Sequence, residues 1–289
     1  MPETLDRRLN AYREDLAEER LRGLVEAKRF VEGTPAQMAA PVTPLRARPE
    51  PACGTDTELL YGETVRVLDV ADGWAWVKSD LDGYVGYVPE DSVKPPQAPA
   101  THIVAVPRTF VYRGADLRFP QAFALSMGSR LSVAGEAETR GTRYLLLDGG
   151  LAIVANHCAP IGSPLGDDYV SVAARFLETP YLWGGRSGFG IDCSGLVQLA
   201  MQMTGGNAPR DSDMQASGLG RSIGRDELRR GDLVFWKGHV AIMEDEKTLV
   251  HANGHTMTVA REGLEDAIRR IGWLYDQPTG YRRPYCMFP

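Results

Sequence analysis

The 289-residue chain lacks several features that would place it in a functional class at once. No run approaches the roughly 18 consecutive apolar residues that a membrane-crossing helix needs. The first 30 residues, MPETLDRRLNAYREDLAEERLRGLVEAKRF, are charged throughout and contain no apolar core of a secretory signal. A cytoplasmic location is the expectation from this. Positive charge is not in excess: 32 Lys and Arg stand against 38 Asp and Glu, a net charge of −6. That balance offers no electrostatic footprint for nucleic acid or an anionic membrane surface, so neither partner is expected. Cysteine is scarce. Cys53, Cys158, Cys193 and Cys286 are scattered without a CxxC pair; the even count permits disulfides, but a chain this long has core enough without them. The remaining composition, 43% hydrophobic and 24% charged, is that of a globular protein, and the length points to two or three domains.

The chain falls into four stretches. Residues 1–50 place Leu16, Leu21, Leu24 and Val25 among charges in an amphipathic helix pattern, followed by the Pro- and Ala-rich GTPAQMAAPVTPLRARPEP. This predicts a helix and a linker strap lying on the next domain. Residues 51–97 carry short alternating runs broken by Asp72-Gly73 and Asp82-Gly83, the pattern of tight hairpins in a small barrel. Residues 98–163 repeat that grammar and predict a second barrel. His157 and Cys158 are adjacent there, but neighbours in a strand point to opposite faces, so they make a poor catalytic pair. From 164 to 289 the pattern becomes α+β, with DDYVSVAARFLETP reading as a helix that stops before Pro180.

Chemistry concentrates in this last segment. In YLWGGRSGFGIDCSGLVQLAM, Asp192 is a good N-cap for a helix opening at Cys193 and ending at Gly205-Gly206. A thiol in a first helical turn faces unpaired N–H groups and the positive end of the dipole, which is expected to lower its pKa. The glycines before it are expected to let a substrate backbone approach. A base is sought downstream, where HVAIM and TLVHAN read as adjacent strands around Glu244–Glu246. A hairpin symmetric about Asp245 would set His239 opposite His251 on one face. Asn253-Gly254, read as a two-residue turn, would aim His255 off that face. The pattern therefore predicts a Cys193–His239–His251 set in which the thiolate attacks a carbonyl, His239 moves the proton and His251 supports the imidazolium. From the residues alone, buried structural histidines or a zinc site built from the same three side chains remain open.

YLWGGRSGFGIDCSGLVQ, PRDSDMQ, RRGDLVFWKGHVAIM and LVHANG, in that order over about residues 165–285, resemble the NlpC/P60 cysteine peptidases. DGWAWV and GYVGYVPEDSV similarly resemble the bacterial SH3-type domain. The resemblance implies two small SH3-like β-barrels followed by a papain-like α+β domain, as in the dipeptide-cleaving members. It implies Cys193 as nucleophile, His239 as base and His251 as the third polar residue, with no metal or cofactor. The implied substrate is the γ-D-glutamyl to diamino-acid bond of peptidoglycan stem peptides. Tyr181, Asp192 and Ser194 would hold the free amino terminus of an L-alanine, joined by Tyr84 or Tyr87 from the first barrel. With no leader visible, recycling of released muropeptides is expected rather than wall remodelling. The competing classes are a wall-binding adaptor with an inert third domain, and an amidase or acyltransferase on the same fold.

Overall fold

The computed structural model describes residues 5–285, so Cys286 lies outside the described residues. The chain divides into two compact units. One comprises residues up to Ile103 with Phe110–Leu125 and Ser129–Ala155. The other comprises Val104–Thr109, Ser126–Gly128 and the chain from Asn156 onward.

The first unit is almost entirely β. Five antiparallel strands stand in the order Val85–Pro89, Trp74–Ser79, Thr64–Ala71, Thr34–Met38, Val93–Lys94, and Val42–Leu45 pairs separately with Thr57–Leu60. Asp72 and Gly73 both have positive φ (52° and 79°), which is the two-residue primed turn that the right-handed twist of a hairpin favours. Alternation along Trp74–Ser79 then divides the side chains between two faces. Ala75 and Val77 join Met38, Leu45, Leu59, Val65 and Val88 in the core, whereas Trp76 turns outward to Ala11, Leu16, Leu68 and Val85.

The amino-terminal segment departs from the sequence expectation. The helix and linker strap expected over residues 1–50 are not found among the described residues; within 5–50 the chain makes short parallel strands at Leu16–Glu18 and Arg29–Val31, then the Thr34–Met38 and Val42–Leu45 strands. Two causes account for this. Leu16 gains more by covering the outer face of Trp76 than an isolated helix would supply, since most helical stability comes from packing rather than propensity. The prolines are also less disruptive than they read. Pro35 pairs on one side with Arg66, while the Val93–Lys94 strand reaches only Gln37 and Met38 on the other, so no ladder donor is missing.

A second five-stranded sheet follows in the order Gln121–Ser126, Arg108–Tyr112, Leu151–Val154, Thr142–Leu147, Gly135–Thr139. Neither sheet closes into a barrel among the described residues. In the first, the Val42–Leu45 ribbon packs on the main sheet through Leu45 and pairs with it at the Arg46–Tyr87 bridge, and a register shift at Val67/Asp69 interrupts the ladder. The expected closed barrels are thus partly open sheets.

The second unit sets helices against a six-stranded antiparallel sheet. Its order is Arg221–Ser222, Gly280–Arg283, Leu233–Trp236, His239–Met243, Thr248–Asn253, Thr258–Gly263. The helices are α1 (Tyr169–Ala174), α2 (Cys193–Met203), α3 (Ser212–Gly218) and α4 (Leu264–Leu274). Asp168 caps α1, accepting from the Ser171 N–H at 2.6 Å. Helix α2 is buried at every position except Gln202 and packs on the His239–Met243 and Thr248–Asn253 strands. Helix α4 packs Ala267, Ile268 and Ile271 against Ala241, Met243 and Leu249. No helix among the described residues is long and apolar enough to cross a membrane.

Leu16 is fully buried and Leu24 is 69% exposed, although a helix pattern treats them alike. Leu16→Ala is expected to cost about 2–5 kcal/mol. Leu24→Ala is expected to stay within about 0.5 kcal/mol. Urea unfolding of both variants with unchanged m-values is the measurement; equal losses would reinstate the helix.

Candidate active site

Helix α2 begins where the sequence expects. Asp192 adopts extended backbone and its Oδ1 accepts the Gly195 N–H at 2.7 Å, satisfying one of the unpaired donors of the first turn. At the other end Gly205, at φ 88°, follows the last turn, and the Gly206 N–H reaches the Met201 carbonyl at 2.9 Å. The Gly-rich stretch before the helix has a different use from the one expected. Residues 184–188 are buried, and Arg186–Ser187 pairs back on Gly190–Ile191. A Cβ on Gly195 would run into the Gly185 carbonyl oxygen. The glycines thus let this loop lie directly on the first turn of α2.

A buried ion pair fixes that turn. Arg210, 1% exposed, donates to both Asp192 oxygens, at 2.9 and 2.7 Å. It also donates to Ser194 Oγ at 3.0 Å, and Asp192 Oδ2 accepts the Gly184 N–H at 3.0 Å. Gln215, at the end of the same PRDSDMQ segment, donates to the Ser194 carbonyl at 3.0 Å. Asp192 and Ser194 therefore already have protein partners, and Asp192 does serve as N-cap. Tyr181 lies close enough for the Cys193 sulfur and the Asp192 carboxylate to act on its phenol, whose pKa is raised by burial and then by those two groups.

Cys193 is 6% exposed, and burial pushes its thiol up to about 12; the nearby Asp192 charge adds to this. Backbone N–H groups of Val240 and Ser194 and the Arg210 guanidinium act in the opposite direction but do not prevail. The expected lowering by the helix start is therefore overridden by desolvation. The Val240 N–H that reaches the sulfur follows directly after His239.

His239 Nε2 stands 2.9 Å from His251 Nδ1, so the two imidazoles share a proton between those atoms. Their rings lie 5.1 Å apart at 59°. Burial, the His251 ring and Arg270 lower His239 to about 3, and burial likewise lowers His251. The route to this contact differs from the symmetric hairpin. Glu244 N–H bonds to the Thr248 carbonyl and Ile242 pairs with Val250, so the turn centres on Glu246, held by Asp245 accepting from Lys247 and Thr248. The register is shifted by two residues. An even shift leaves His239 and His251 on one face, as side chains alternate with period two. His255 lies in a four-residue turn, since Asn253 pairs with Thr258; it is exposed and outside the site.

Behind His251, Glu262 Oε2 lies 3.2 Å from Nε2, off the line of a well-directed hydrogen bond. Arg270 grips the same carboxylate at 2.8 Å (Nε to Oε1) and 2.6 Å (Nη2 to Oε2). Burial works against the charge, yet Arg270 and His251 hold Glu262 at about 2. Sequence reasoning missed Arg210, Gln215, Glu262 and Arg270. The first two stood in a quoted motif without a role, and no short-range pattern marks the others. His157 and Cys158 take no part: His157 Nδ1 pairs with Thr109 Oγ1 at 2.7 Å, and burial pushes Cys158 up to about 12. Of the two tyrosines in the first sheet, Tyr84 is a core residue, whereas Tyr87 stacks on Trp76 at 6.2 Å and accepts from Arg13.

Cys193, at a helix start, and the two linked histidines on the antiparallel sheet all lie within one stretch that matches a known family. Residues 178–270 match the NlpC/P60 family, and residues 45–93 match the bacterial dipeptidyl-peptidase SH3 domain. It is 29% identical over 225 residues to a gamma-D-glutamyl-L-lysine dipeptidyl-peptidase of Bacillus cereus, covering 68% of this chain and 67% of that one. It is 26% identical over 262 residues to dipeptidyl-peptidase 6 of Lysinibacillus sphaericus, covering 80% and 96%. A crystal structure of an NlpC/P60 family protein from Bacillus cereus shares the fold, with a TM-score of 0.73 and 23% identity over 87% of this chain and 99% of that one.

Two measurements follow from the charge states. With the proton on sulfur at neutral pH, iodoacetamide alkylation of Cys193 in the free protein is expected to be slow at pH 7 and to rise steadily through pH 9. A flat plateau from pH 5 to 9, as a preformed thiolate–imidazolium pair gives, would contradict it. His239 has a folded pKa below its unfolded value near 6.5, so its contribution to stability is complete above pH 6.5 and declines as pH falls toward 3. Lowering pH from 7 to 5 is expected to cost up to about 2 kcal/mol, less in His239→Gln, as read by urea unfolding.

Proposed function

We propose that this chain is a cysteine peptidase that hydrolyses the γ-D-glutamyl to L-diamino acid bond of peptidoglycan-derived peptides bearing a free N-terminal L-alanine. The observation that carries the reading is Cys193 at the start of α2, beside the hydrogen-bonded His239–His251 pair. The names of the relatives, a γ-D-glutamyl-L-lysine dipeptidyl-peptidase and dipeptidyl-peptidase 6, support the substrate class. On this reading the amino-terminal sheets are two SH3-type modules and the second unit is a papain-like peptidase domain.

The chemistry uses neutral partners. Because the thiol holds its proton, attack and deprotonation occur together: the S–H proton passes to the free nitrogen of His239 as sulfur bonds to the carbonyl carbon. The oxyanion meets first-turn N–H groups of α2, and Arg210 and Asp192 hold that turn rigid. Collapse expels the diamino-acid amine, which takes the proton from His239, and water then releases the acyl group by the reverse sequence. Tyr181, Asp192 and Ser194 form the pocket for the substrate ammonium. Asp192 acts there through its field rather than as an open acceptor, since its oxygens are occupied. The peptides are released muropeptides, consistent with recycling rather than wall remodelling.

Wild type and Cys193→Ala are incubated with L-Ala-γ-D-Glu-diaminopimelate, its N-acetylated form and intact sacculi, and products are assigned by mass. Cleavage of the free tripeptide alone, abolished in Cys193→Ala, is expected. Equal cleavage of the acetylated peptide would remove the ammonium pocket, and equal cleavage of sacculi would remove the recycling role.

A further inference from the structure

The polar chain behind Cys193 continues past the second histidine to a carboxylate and a guanidinium. Glu262 lies directly across from Leu249 on the neighbouring strand, so its side chain shares a face with His251 two residues along. Helix α4 then brings Arg270 onto both carboxylate oxygens. The contacts run from His239 to His251, Glu262 and Arg270 across three adjacent strands to α4, and the Cys193 sulfur at the start of α2 meets the backbone N–H of Val240, the residue after His239.

We infer that Glu262, clamped by Arg270, is a positioning residue that sets which nitrogen of each histidine carries its proton. This rests on the peptidase reading and deepens it. An ionised carboxylate can only accept, so the side of His251 that faces Glu262, Nε2, carries the proton. His251 Nδ1 is then a lone pair. His239 Nε2, 2.9 Å away, must carry the proton shared between the rings. Neutral His239 is left with a bare Nδ1, the nitrogen available to the Cys193 proton. The opposite arrangement sets two lone pairs against each other at Glu262 and leaves a proton on His239 Nδ1, where it cannot act as base. Thus a carboxylate two side chains away makes the base competent.

The same chain supports the charged intermediate without further proton movement. When the S–H bond breaks and the proton bonds to His239 Nδ1, the imidazolium donates through Nε2 to His251, whose Nε2–H faces Glu262. Arg270 keeps the carboxylate ionised and oriented, and the Trp236 ring lies 5.7 Å from that of His239. Arg270 also opposes positive charge on His239, so the pair orients more than it attracts.

The test uses the full chain labelled with ¹⁵N-histidine, whose five histidines are few enough to assign. Wild type is expected to show His239 and His251 both in the Nε2–H form by long-range ¹H–¹⁵N correlation. In Glu262→Gln the amide presents a donor toward His251. At least one ring is expected to switch to Nδ1–H, and kcat for the tripeptide to fall about 10- to 100-fold with KM within about twofold. Glu262→Asp is expected to keep the wild-type tautomers and most of kcat, and both variants to melt within a few degrees of wild type. An Nδ1–H His251 in wild type, a Glu262→Gln kcat within twofold of wild type, or a Glu262→Asp variant as impaired as Glu262→Gln would each overturn the inference. Should Glu262→Gln fail to fold, the wild-type spectrum and the Asp variant decide. If wild type cleaves no peptide, the proposed function fails, while the tautomers still test Glu262.

Discussion

The contact between Arg210 and Asp192 is the constraint on which the site depends. A buried carboxylate and a buried guanidinium each carry a desolvation penalty that only close, bidentate pairing offsets, and removing one partner from such a pair costs about 3–5 kcal/mol. Here the pair is also the cap of α2 and the anchor of Ser194. Its geometry fixes where the first turn points. With Gly195 pressed on Gly185 and Gln215 holding the Ser194 carbonyl, that turn has little freedom left. The nucleophile is therefore presented by a rigid element, in keeping with the placement of reactive groups on preorganised scaffolds.

Rigidity and burial have a cost that shapes the chemistry. The surroundings that hold Cys193 still also exclude water from its thiolate, and desolvation outweighs the helix start. The histidines are subject to the same effect in the opposite sense, because for them burial disfavours the protonated form. A neutral thiol beside a neutral imidazole is the consistent resting state. In that state the important property of His239 is where its one proton sits, which gives the second histidine and the carboxylate behind it their significance.

Some of this organisation was legible in the sequence. The Asp-Gly turn at Asp72-Gly73, the N-cap at Asp192 and the stop at Gly205-Gly206 are local signals whose cause lies within a few residues, and the structure bears them out. The facing of His239 and His251 was legible through strand alternation, and it survived a wrong turn centre because the error was an even number of residues. The amino-terminal helix failed because its apolar spacing satisfied a helix, while Trp76 on a distant strand offered Leu16 a better surface.

The sequence by itself determined the nucleophile's place at a helix start and the common face of two histidines, because capping and period-two alternation are short-range rules. Only the tertiary structure decided that Arg210 pairs with Asp192 across 18 positions, that Glu262 and Arg270 back His251, and that burial pushes the Cys193 thiol up. Those outcomes turn on how much water is excluded and which charges meet when helices and strands far apart in the chain come together, and no local pattern encodes that.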